Sequence, residues 1–192
     1  MTETKGKKTV VIVFSALLVL LGVTCEILGN IQWMGRFTPT PEMVTYVLLS
    51  VAALYYVSVG YKKPHGNLLR YTFLLLSVAC INGLIDTAVD LTLTPDFHVN
   101  AQLVILGLDG LSAVLIAYVA GRLDKVKKNC PALLLITAMQ IAIAVLFVSI
   151  YENWGNFVFL IWDFSTCFLW IDLMVAYLIR YREHKEAGLT DK

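Results

Sequence analysis

The chain has 192 residues, of which 15 are basic and 14 acidic, a formal net charge of +1, and 58% of it is apolar. Charged residues make up 15%, against roughly 25% in ordinary globular domains. This excludes a disordered chain, a coiled coil and a typical water-soluble enzyme, and points to an all-α polytopic membrane helix bundle.

Apolar runs near the length of a membrane helix occur at residues 9–30, 42–61, 68–92, 101–121, 131–151 and 155–180. They predict six transmembrane helices in a single domain over 1–192, with short cytoplasmic tails at 1–8 and 182–192. The first run, Thr9 to Leu21, is almost unbroken. No small-x-small cleavage pattern follows Val23, and Glu26 sits where the apolar segment continues, so it reads as a span rather than a signal peptide. Thr40-Pro41 and Cys130-Pro131 place proline in a first helical turn, where its missing N–H costs nothing. His65-Gly66-Asn67 supplies a break and an N-cap before the third run.

The charges fix an orientation. Lys5, Lys7 and Lys8 precede the first run, Lys62 and Lys63 fall between the second and third, and Arg70 stands at the start of the third. Arg122, Lys125, Lys127 and Lys128 fall between the fourth and fifth, and Arg180, Arg182, Lys185 and Lys192 end the chain. Only Arg36 lies on the other side. Both termini are therefore expected in the cytoplasm, N-in and C-in, in the plasma (inner) membrane. Trp33, Phe97 and Trp154 in the opposite loops fit an interfacial aromatic belt. Phe73, Leu74, Ile85 and Asp86 match Phe159, Leu160, Ile171 and Asp172 in spacing. Three spans per half would make this a 3+3 inverted repeat, although such matches arise easily in a chain rich in Leu and Phe.

Several chemistries lack their residues. No Lys lies within a run, and His65, His98 and His184 lie in loops or the tail, which argues against a retinal Schiff base, bis-His haem and an intramembrane Ser–His or Cys–His hydrolase. No phosphate-cradling glycine loop and no C-x-x-C pair is present. Neither a cofactor nor a metal is implied.

What remains is a set of carboxylates at lipid depth: Glu26, Asp86, Asp90, Asp109, Asp163 and Asp172. An ionised side chain at mid-bilayer costs roughly 2.5–3.5 kcal/mol on insertion scales. Arg70 and Arg180 sit at run ends and no Lys or Arg lies deeper, so each must be protonated, face water or bind a cation. Asn82, Asp86 and Asp90 recur every fourth residue and share one helix face. Asp109 precedes the small-residue series Ala113, Ala117 and Gly121, which places it on a packed side. Asp86 and Asp109 are thus expected to face the interior and approach one another. Asp163 and Asp172 point in nearly opposite directions, so Asp163 joins the cluster and Asp172 does not. Trp162 adds an aromatic face, and carboxylates with aromatic faces suit an organic cation.

The expected ligand-binding set is therefore Asp86, Asp109, Asp163, Asn82, Asp90, Glu26 and Trp162. It supports binding or transport of a cationic or protonated small solute through an outward-facing acidic cavity. A sensor or regulatory membrane module without catalysis is the alternative. An intramembrane enzyme is least supported, since Asn82-x-x-x-Asp86-x-x-x-Asp90 has no second acidic motif and no Gly-x-Gly-Asp precedes Asp109. The partners implied are the lipid bilayer, a small cationic ligand or protons, and a second copy or partner subunit, with no nucleic acid.

Overall fold

A computed structural model of the protein describes residues 2–59, 66–93, 98–123 and 125–186. The order is α1 (Thr2–Met34), α2 (Pro41–Val59), α3 (Gly66–Leu93), α4 (Val99–Gly121), α5 (Val126–Ile150), a 3₁₀ turn (Asn153–Gly155), α6 (Phe157–Asp163) and α7 (Ser165–Glu186). Local chemistry sets several borders. α1 stops before Gly35, whose φ of 68° lies in the left-handed region that glycine adopts without strain. Thr40 Oγ1 accepts the Met43 N–H at 3.2 Å and caps α2 ahead of Pro41. Asn156 caps α6 by accepting the N–H groups of Val158 and Phe159.

The six-span expectation is corrected here. Four stretches are long and apolar enough to cross a membrane: Thr9–Gln32, Leu69–Leu93, Val99–Gly121 and Lys128–Ile150. A fifth exists only if Phe157–Asp163 and Ser165–Ile179, bent by 49°, act as one broken span. The apolar stretch of α2, Met43–Tyr55, belongs to the 10–17-residue class. At 1.5 Å per residue it covers about 15–25 Å, short of the ~30 Å hydrocarbon core. The chain is thus a bundle of four, or with the broken pair five, apolar helices, with the shorter α2 packed among them.

The 3+3 repeat falls with the six spans. Its third elements differ, since α3 is continuous while its counterpart breaks at Phe164. Its matched acids also differ, since Asp86 is exposed and Asp172 is buried. Other borders move too. α5 starts at Val126, so Pro131 lies inside the helix and forfeits one backbone bond. α1 reaches back to Thr2 and α7 on to Glu186, so parts of both expected tails are helical.

The core gathers side chains from α2, α3, α4, α5 and α7 around Phe73, Trp170 and Tyr177. Phe73 meets both Trp170 and Tyr177 edge-on, with ring centroids 5.9 Å apart in each case. The polar handles of these rings are satisfied within the bundle, as burial requires. Trp170 Nε1 donates to Thr137 Oγ1 at 2.8 Å, and Asn129 Nδ2 donates to the Tyr177 hydroxyl at 2.9 Å. α3 and α4 form the closest pair. Ser77 Oγ donates to the Ala113 carbonyl at 2.8 Å, and a Cβ on Gly110 would stand 3.0 Å from Leu84.

Phe73→Ala should cost about 3–5 kcal/mol through the cavity it leaves, read as a lower thermal midpoint in detergent. Leu134, 69% exposed on α5, should lose no more than about 0.5 kcal/mol on substitution by Ala. A comparable loss at Leu134 would mean that its face packs against protein.

Candidate functional site

Neighbouring helices run in opposite directions, so one end of the bundle collects the C-terminal parts of α1, α3 and α5 and the starts of α2 and α7. Between them lies a cavity of about 470 Å³. Glu26, Asn82, Asp86, Asp90, Asp109, Trp162 and Asp163 all line it. The sequence-derived set is thus brought to one place, from α1, α3, α4 and α6. No Lys, Arg or His is among the described lining residues.

The carboxylates differ in setting. Glu26 is 8% exposed and accepts a hydrogen bond from Ser165 Oγ at 2.5 Å. Asp109 is buried, and its Oδ2 would stand 3.3 Å from a Cβ placed on Gly83. The absence of a side chain at Gly83 is what lets that carboxyl lie against α3. Asp86 and Asp90 line the cavity but are exposed, and Asp163 is half-buried. The expected inward orientation therefore describes Asp109, whereas Asp86 keeps contact with solvent space. The small-residue series on α4 only partly packs: Ala113 is buried, but a Cβ on Gly121 would meet nothing.

Aromatic and thioether groups complete the wall. Trp162 lies on Gly29 of α1, where an added Cβ would come within 2.5 Å of the indole, and it stacks on Phe159 at 5.6 Å. Phe147, Tyr46, Met34 and Met43 also face the cavity. At the rim the Tyr151 hydroxyl hydrogen-bonds Asp90; burial, then the Asp90 and Asp163 carboxylates, push that phenol above its ordinary range. It stays a neutral donor at physiological pH.

Sequence reasoning missed Ser165 and Thr166, which reach the cavity because the helix breaks just before them. No Pro or Gly marks that break, so only the Asn156 cap hinted at a separate short helix. Gln140 of α5 lines the cavity and approaches Cys80 Sγ of α3 at 4.0 Å. Of the expected aromatic belt, Trp154 is exposed, the Trp33 side chain and Phe97 lie outside the described residues. Among the described residues no group of three or more His, Cys, Asp or Glu is placed to hold a metal ion. No protein-family model, no curated protein and no solved structure matches this chain.

Ser165→Ala removes a buried hydrogen bond to Glu26 and should cost about 1.5–3 kcal/mol, the range for bonds to charged groups. Glu26→Gln, which can still accept that bond, should cost less. Equal midpoints for wild type and Ser165→Ala would mean that the Glu26 carboxylate is held by other groups.

Proposed function

We propose that this membrane protein binds a small organic cation or protonated solute in the acidic cavity, and that it carries the solute across the bilayer. The observation that supports this best is the composition of the wall. Five carboxylates, Glu26, Asp86, Asp90, Asp109 and Asp163, line it with no described basic residue. Such a lining attracts positive charge and repels anions. The faces of Trp162, Phe147 and Tyr46 add the attraction of aromatic rings for a desolvated cation. Transport is favoured over binding alone by the broken α6–α7 pair, because discontinuous helices at a binding site are a recurrent device of transporters.

Arg70, Arg122, Lys125 and Lys128 sit where α3 and α5 begin and α4 ends, away from the cavity. The positive-inside tendency then puts this basic end in the cytoplasm of the plasma membrane and opens the cavity outward. Cysteines at Thr38 and His98 should label from outside the cell, and one at Lys128 should not. External labelling at Lys128 would reverse the orientation.

Binding is tested on the protein in lipid nanodiscs at constant ionic strength, with tetramethylammonium, guanidinium, sodium and acetate as probes. An organic cation should raise the thermal midpoint, by the equivalent of about 2.7 kcal/mol at a hundredfold excess over Kd, and acetate should not. Asp109→Asn should weaken that binding about tenfold or more, which is about 1.4 kcal/mol. Equal responses to cations and acetate, or no loss in Asp109→Asn, would contradict the reading.

A further inference from the structure

Asp172 lies outside this cavity. It sits on α7 about two turns beyond Ser165, is 1% exposed, and its Oδ2 has no hydrogen-bond partner. From α1 the Ser15 hydroxyl, itself 1% exposed, faces the carboxyl. From α2 the Tyr46 hydroxyl, seated over Gly22 of α1, lies within electrostatic reach of both Asp172 and Glu26 and faces Ser50. The Ser50 hydroxyl is likewise buried and unpartnered. α5 presents Thr137 to Trp170 and Asn129 to Tyr177, and neither group ionises. α6 precedes α7 in the chain and ends at Asp163, nine residues before Asp172. Arg70 is turned to the Ala120 carbonyl and Arg122 to the Tyr118 hydroxyl.

A carboxylate enclosed in this way, with no cation beside it, is costly as a bare charge. A hard metal ion would neutralise it only with about six oxygen ligands, more than the carboxyl, Ser15 and Ser50 supply. A proton needs one oxygen, and Asp172 Oδ2 is open to it.

We propose that Asp172 is a proton-binding site, set apart from the cavity and linked to it by the Tyr46 hydroxyl. The site goes beyond solute binding and stands whether or not the cavity holds a solute. Tyr46 lines the cavity, and its hydroxyl lies against Gly22, on the face of α1 that carries Ser15 two turns before and Glu26 one turn after. A change of charge at either carboxyl is therefore felt at the same phenol. In a carrier, this arrangement would tie proton uptake to cavity occupancy.

The test is infrared difference spectroscopy on the full chain in nanodiscs, from about pH 5 to 9. A protonated carboxyl shows an acid C=O stretch that a carboxylate lacks. The expected result is an acid band at neutral pH that Asp172→Asn removes and Glu26→Gln keeps. Ser15→Ala should shift its frequency without removing it, and Tyr46→Phe should move the pH at which it disappears. Carbon-13 labelling of aspartate in the unaltered protein should shift the band, and the shifted band should remain in Asp109→Asn, which separates Asp172 from the other buried aspartate even if Asp172→Asn fails to fold. A band that persists in Asp172→Asn or ignores the label overturns the proton site. So does a band that vanishes when sodium replaces choline at fixed pH, which would mark a metal-ion site. An unmoved titration in Tyr46→Phe overturns the link to the cavity.

Discussion

A carboxylate in hydrocarbon must find water, a proton or a positive partner; six acids stand in the apolar helices of this chain, and no described basic residue lines the cavity that five of them share. Much of the bundle is arranged around that constraint. Glu26, Asp86, Asp90, Asp109 and Asp163 converge on a single cavity instead of scattering toward lipid. Exposed positions on the helices, such as Leu134 and Val114, are apolar. The glycines that matter are those that let polar or aromatic groups lie against a neighbouring backbone: Gly83 under Asp109 and Gly29 under Trp162.

The two ends of the bundle divide the work. Toward the basic end, Phe73, Trp170 and Tyr177 lock α3 to α7, while Asn129 and Thr137 of α5 satisfy the two polar rings. Close packing replaces the hydrophobic effect as the main cohesion between helices in lipid, and this dense aromatic core joins α3, α5 and α7. The other end is looser by construction. Its walls stand around 470 Å³ of space, and one wall is a helix broken at Phe164. The Ser165–Glu26 hydrogen bond ties the far side of that break to α1. Dense packing at one end and a broken wall at the other suit the proposed solute-binding cavity, which would have to open.

The sequence spoke clearly where the physics is local. Thr40-Pro41 marked the start of α2, and the four-residue spacing of Asn82, Asp86 and Asp90 put them on one face of α3 that does line the cavity. Where the answer depended on tertiary context, it was silent or misleading. α2 reads as a full span because Tyr and Val extend its apolar run to residue 61, yet among the described residues its apolar stretch, Met43–Tyr55, is shorter than a full span. Pro131 looked like a helix start, but α5 tolerates it one turn inside. The break before Ser165 has no Pro or Gly, so the second wall of the cavity could not be anticipated. Spacing alone likewise could not tell that Asp86 stays exposed while Asp109, on the neighbouring helix, is buried.

The central claim is that the acidic cavity takes up positive charge. It is met most directly by charge displacement on a solid-supported membrane carrying the reconstituted protein. A jump in guanidinium or tetramethylammonium concentration should evoke a transient current of the sign of cation entry, saturating with concentration and strongly reduced in Asp109→Asn. No current above that of protein-free membranes, or an undiminished current in Asp109→Asn, would contradict the account.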